Sequence, residues 1–216
     1  MNKGELRDRA RREMKDTVKP YFFSDEDLDT WLNEAEVEAA RRALLLVDST
    51  SEAATADVGA GDLGVELHPS VIYVRRARLA SAGRPLVPIV SRTMDEQYPG
   101  WESAQASTPI VFVPDWQTGY LRLHPPSKIA DNVLMTVVRK PLFPMELDED
   151  TPEIREHLHL KLLDWVKFRA YSTPDSDFFD PKKAERHEQA FIRNFGQSAP
   201  IDEHWAQEQY FDVGNH

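Results

Sequence analysis

The sequence predicts a mainly α protein with a β insertion. In this α+β fold the N- and C-terminal helices form one bundle, a small antiparallel β subdomain projects from it, and a C-terminal arm extends beyond. Three observations predict it: apolar residues recur at helical spacing at both ends of the 216-residue chain, the middle consists of short β-branched segments cut by Pro and Gly, and no fixed-period repeat or sustained heptad run is present. The expected divisions are helices over 1–50, a flexible loop over 51–64, the β-rich insertion over 65–143, a helical hairpin over 144–196 and the arm over 197–216.

At the N-terminus, Leu6, Ala10 and Met14 fall at i, i+4 and i+8, with charges such as Arg7, Arg11 and Arg12 between them, which predicts a thin amphipathic helix stopped by Pro20. Ser24 then stands as an N-cap before three acids, with Asp27 at the third helical position and Phe23 just outside. Leu28, Trp31, Leu32, Ala35 and Ala39 make one stripe, and the helix is expected to reach about Val47. From Asp48 to Gly64 the chain turns small and polar, the composition of a mobile loop.

Five strands are predicted next: Ser70 to Leu79, Pro85 to Ser91, Pro109 to Val113, Gly119 to Leu123 and Asn132 to Lys140. Gln97 to Thr108 carries few periodic apolar residues and reads as a loop. Thr151-Pro152-Glu153 sets an N-cap, a first-position proline and an acid in order, ahead of a wide stripe from Ile154 through Leu158, Leu162, Trp165 and Phe168. Thr173-Pro174-Asp175 breaks that helix. Asp180-Pro181 starts the next, whose face runs through Ala184, His187, Phe191 and Phe195 to a stop at Gly196.

Composition removes several function classes. A formal charge of −11 opposes the clustered Lys and Arg that a nucleic-acid binder needs to displace counterions from phosphate. With no cysteine, disulfides, thiolate metal sites and a cysteine nucleophile are excluded. The longest strictly apolar run, Ala43 to Val47, is too short to span a bilayer, and Met1 to Asp16 has no apolar signal core, so an intracellularly made, membrane-free protein is expected.

The motifs that resemble sites have simpler explanations. Gly59-Ala60-Gly61-Asp62-Leu63-Gly64 fits the spacing of a dinucleotide loop, but that site needs a strand before it and a helix N-terminus after it. His157 and His159 lie near acids, yet residues two apart on a helix face different ways and no third ligand follows at fixed spacing. The acidic run Asp148-Glu149-Asp150 suits the start of the following helix. No Gly-x-Ser-x-Gly elbow, Ser-x-x-Lys pair or phosphate loop occurs, so no catalytic residue, cofactor or metal is assigned. Beyond Gly196, the large apolar side chains Ile201, Trp205, Tyr210 and Phe211 alternate with acids on a terminal arm; they are the candidate partner-binding residues.

Several segments carry a family resemblance. Phe23 to Ala35 resembles a helix of tailed-bacteriophage head-to-tail adaptors, and Gly119-Tyr120-Leu121-Arg122-Leu123-His124-Pro125-Pro126 is similar to their strand-then-proline signature. Lys140-Pro141-Leu142, Asp150 to Ile154 and Arg169-Ala170-Tyr171-Ser172 fit the same pattern in the same order, whereas Asp48 to Ser107 carries none of it. The resemblance implies a non-enzymatic structural protein of the virion neck, made in the host cytoplasm. It would form a homo-oligomeric ring, typically a dodecamer, between the portal protein and a tail or nozzle protein, with DNA passing through at ejection. Another neck component, a terminator or tail-tube partner, is the alternative within the virion; a small metal-dependent hydrolase using His157 and His159 is the alternative outside it.

Overall fold

The computed structural model describes residues 1–174 and 177–197. Ile201, Trp205, Tyr210 and Phe211 therefore lie outside the described residues. Five α-helices and eight strands are present among the described residues, an α+β fold. The chain divides into two compact units: Met1–Leu46 with the chain from Pro141 onward, and Val47–Lys140.

The first unit is helical. α1 (Lys3–Met14) opens with a capping box in which Asn2 Oδ1 accepts from the Glu5 amide at 2.8 Å and Glu5 Oε2 accepts from the Asn2 amide at 3.2 Å. Lys15 closes it with φ 64, well before Pro20. α2 (Asp25–Ala43) opens with the expected Ser24 box to Asp27, but stops four residues short of Val47, where Leu44 turns left-handed at φ 50. The predicted stripes are the ones buried. Leu6, Ala10 and Met14 join Phe23, Leu28, Trp31 and Leu32 in one cluster that also takes Leu163, Val166 and Ala170 of α4 (His159–Ser172). Ala35, Ala39 and Ala40 meet Leu162 and the Phe191 and Phe195 rings of α5 (Pro181–Phe195) in a second. Small residues on α2 leave room for those rings, and burying each ring is worth about 2–3 kcal/mol.

Three expectations in this unit are corrected. Arg11, read as a charge between apolar positions, is 4% exposed: its guanidinium donates to Asp16 Oδ2 at 2.7 Å, to the Phe23 carbonyl at 2.9 Å and to Asp25 Oδ1 at 2.6 Å. The start signal at Thr151-Pro152 does not start a helix. The amides of Glu153 and Ile154 donate instead to the buried Glu36 carboxylate of α2, and helical structure begins with a 3₁₀ turn at Glu156–Leu158 that leads into α4. The acidic run serves the other end of the chain: the carbonyls of Asp150 and Asp148 accept from the Lys3 and Gly4 amides, two donors that the first turn of α1 cannot satisfy internally. The Asp148 carboxylate also meets Arg7 at 2.8 Å.

The second unit holds two four-stranded sheets, and β1 (Leu46–Asp48) lies where the chain enters it. In the first sheet the long strand β8 (Asp131–Arg139) carries β4 (Val71–Leu79) as one neighbour, and β1 and β2 (Thr55–Val58) as the others, all ladders with β2 and β4 antiparallel. The second sheet runs β3 (Gly64–Glu66), β7 (Tyr120–His124), β6 (Val111–Gln117), β5 (Val87–Pro88). Residues 51–64, expected as a flexible loop, thus carry a 3₁₀ turn at Glu52–Ala54, β2 and the start of β3. Their polar composition matches short edge strands with one solvated side.

Two further differences concern the sheet's periphery. β5 pairs parallel with β6, so the second sheet is mixed and not purely antiparallel; the 22-residue crossing from Ile89 to Ile110 supplies the length that a parallel return requires. That crossing, expected to end as strand and continue as loop, contains α3 (Ser91–Gln97) and a 3₁₀ turn at Trp101–Ser103. Met94 and Trp101 are its buried anchors, packed with Val111 and Val113.

Candidate assembly surfaces

The sequence motifs with a catalytic look resolve into structural parts. His159 is 4% exposed; its Nε2 faces the Ile154 carbonyl at 2.9 Å and its Nδ1 the Met1 carbonyl at 3.1 Å, so both ring nitrogens are committed to backbone. His187 Nδ1 lies 3.0 Å from Asp164 Oδ1. Burial would raise the Asp164 carboxyl, but bonds from His187 and Lys167 outweigh it and hold the group below the usual carboxylate range. Among the described residues no three His, Asp or Glu side chains converge on a common point.

The glycine-rich motif is the turn from β2 to β3. Gly59 donates to Asp62 Oδ2 at 2.6 Å, Gly61 takes φ 89, and β3 follows where a phosphate site would need a helix. Gly64 is required for a different reason: a methyl group there would overlap the Leu121 carbonyl oxygen of β7.

The sheets also bury an arginine. Arg122, in the strand-then-proline segment, is 5% exposed and lies between the Trp101 and Trp116 rings, 5.1 and 4.6 Å from their centroids. Its Nη2 donates to the Glu102 carbonyl at 3.2 Å. The only available signal was its position between Leu121 and Leu123, where strand alternation turns the side chain to the opposite face.

Each unit exposes apolar or charged side chains. On the helical unit, the segment between α1 and α2 presents Tyr21 and Phe22, and the segment before α5 presents Phe179; the Phe22 ring packs on Phe178 at 4.7 Å. Tyr21 is covered by the Arg11 guanidinium at 4.0 Å. On the β unit, a cleft of about 600 Å³ opens between β2 and β3, with Glu52, Asp57, Asp62 and Glu66 on its walls and no Lys or Arg. His68 Nε2 approaches Glu52 at 4.0 Å there. A smaller groove of about 300 Å³ lies over β4 and β8, lined by Arg76, Arg78, Leu134 and Thr136 without a carboxylate.

The described residues thus form a helical unit whose chain is interrupted by a unit of two sheets, with apolar and charged side chains exposed on each. Over residues 1–210 the chain matches the family model described as SU10 adaptor protein, and it belongs to that family of phage head-to-tail adaptors. A search of curated proteins finds no match. Membership makes the chain a virion component that works between portal and tail proteins, and no described helix is long and apolar enough to cross a membrane.

Proposed function

We propose that copies of this chain form a closed ring, twelve-fold in the family's usual symmetry, that joins the portal to the tail and lets DNA pass without holding it. The observation that carries this reading is the adaptor family match over 1–210, nearly the whole chain. The charge distribution supports it. Residues 47–140 carry ten acids against nine Lys and Arg, so all but one unit of the net −11 belongs to the helical flanks and the arm. A ring wall built from those flanks would repel phosphate and let the duplex slide.

In this reading the helices form the wall, the β unit faces tail components or packs outside, and the arm grips the portal or an adjacent subunit through Ile201, Trp205, Tyr210 and Phe211. Four acids and no Lys or Arg lie in 198–216, so the aromatic anchors arrive with a negative rim that selects a basic or neutral socket. Native mass spectrometry of the purified chain, alone and mixed with purified portal rings, tests the proposal. The expected result is a ring, or addition of subunits to the portal in a multiple of its symmetry. Truncation after Gly196 should abolish portal retention. A wild-type chain that stays single in the presence of portal would overturn the ring, and a truncated chain that still binds would remove the arm.

A further inference from the structure

The ring reading leaves open which surfaces of neighbouring copies meet, and the β unit carries a pair of complementary ones. β4 and β2 are the two edges of one sheet, separated by β8, so about 10 Å and one strand divide them. The ladder register sets the side chains in rows. Arg78 lies across from Leu134, which lies across from Thr55; Arg76 lies across from Thr136; and Asp57 lies across from Asn132 further along β2. Directly paired residues share a face of the sheet. One edge is therefore basic, with the Arg76 and Arg78 groove, and the other opens into the acidic cleft between β2 and β3.

The cleft is bounded by unpaired strand edges on both sides. β2 hydrogen-bonds only to β8 and β3 only to β7, which leaves the outer backbone row of each facing the opening. The Tyr120 phenol also lines the cleft; burial raises its pKa, Arg122 pulls it back, and Asp62 and Glu66 push it up. Four carboxylates around an open cleft make it a surface that favours a cationic partner. Cationic side chains, Arg76 and Arg78, stand on β4 at the opposite edge of the first sheet.

Resting on the ring reading, we propose that adjacent copies pack head to tail through their β units, the Arg76 and Arg78 edge of one copy seated on the acidic cleft between β2 and β3 of the next. A contact between two different patches on identical chains is heterologous, and it closes a ring when its rotation is a whole fraction of a turn. Self-association through two like edges is disfavoured by the same charges. The interface is exposed before assembly, so it governs encounter and register, and it weakens with added salt.

Assembly on purified portal rings tests the pairing with full-length chains. One variant carries Asp57→Arg and Glu66→Arg, a second carries Arg76→Glu and Arg78→Glu. Each alone should gather on the portal at least roughly tenfold less than wild type, because like charges then face each other. Equimolar mixing should restore assembly, since each reversed edge finds its opposite, and restoration also shows that both chains are folded. Reversed chains that assemble alone, or a mixture that fails to recover while wild type assembles, would overturn the proposed interface and leave the ring standing. As a second measurement, Glu66→Cys with Arg76→Cys in this cysteine-free chain should give a disulfide ladder of oligomers on oxidation; intact monomer only, on portal that has gathered the chain, would exclude the contact. A wild type that never gathers on portal would instead overturn the ring itself.

Discussion

At the scale of single residues, a few buried charges tie neighbouring segments together. Arg11 and Asp16 are both about 5% exposed and bind the segment between α1 and α2 from inside, with Asp16 also accepting from the Phe22 amide at 2.8 Å. Removing one partner leaves the other charge buried and unpaired, which costs about 3–5 kcal/mol. Arg11→Met should therefore lower stability by about that amount in urea denaturation, whereas an exposed neighbour such as Arg12→Met should change it by less than about 0.5 kcal/mol. Equal effects of the two would sink this account of Arg11.

Asp48 is the corresponding residue of the β unit. Burial would raise its carboxyl, but bonds from Ser51, Thr50 and Arg139 prevail and hold it well below the usual carboxylate range; Arg139 Nε stands 2.6 Å away. A carboxyl whose pKa is lower folded than unfolded adds stability above its unfolded value, about 3.9, and that contribution is lost as pH falls through the folded value. Asp48→Asn should thus be less stable than wild type at pH 7 by about 2–3 kcal/mol, the deficit shrinking steadily below about pH 4. Melting curves across pH 2.5–7 check the sign. A deficit that grows toward acid contradicts the pairing.

At the scale of elements, capping chemistry was legible where it is local. The Ser24 to Asp27 box, the Asp180-Pro181 start and the Gly196 stop are set by residues within three or four positions, and each stands where the sequence puts it. Thr151-Pro152-Glu153 had the same local signal and failed, because Glu36, 117 positions from Glu153, takes the amide that a local cap would have used. The edge strands β2 and β3 were illegible for a related reason: four and three residues show too little alternation, and their pairing is decided by β8 and β7. Gly64 sits at that junction. Gly64→Ala drives a methyl group into the β7 backbone, so it should destabilise the β unit by about 3 kcal/mol, while Gly83→Ala, with open space around it, should be close to neutral. Fluorescence of Trp101 and Trp116, which lie in the β unit, reports that unit's unfolding; an unaffected Gly64→Ala transition would refute the close-approach argument.

At the scale of the whole molecule, charge is distributed unevenly: the β unit is almost neutral and the flanks and arm are acidic. The chain should show no measurable affinity for a roughly 30-base-pair duplex at physiological salt in fluorescence anisotropy, because it lacks the cationic cluster that counterion release requires. Binding with a steep salt slope would overturn the free-passage reading. The same distribution leaves less like-charge repulsion between neighbouring β units than between neighbouring flanks, which is compatible with the head-to-tail pairing of the Arg76 and Arg78 edge with the acidic cleft.

The sequence by itself determined the α+β class, the apolar stripes of α1, α2 and α5, and strands β4, β7 and β8 to within a residue or two, because periodicity, capping and turn chemistry are encoded over a few residues; the resemblance of its motifs carried the adaptor family. Only the tertiary structure decided which charges are buried, where α4 begins, that residues 51–64 form strands, and that Arg76 and Arg78 occupy the edge opposite an acidic cleft. Those outcomes depend on partners tens of residues away, Glu36 for Glu153, β8 for β2, two tryptophans for Arg122. No local pattern specifies them, since each residue's own neighbours in sequence are compatible with more than one environment.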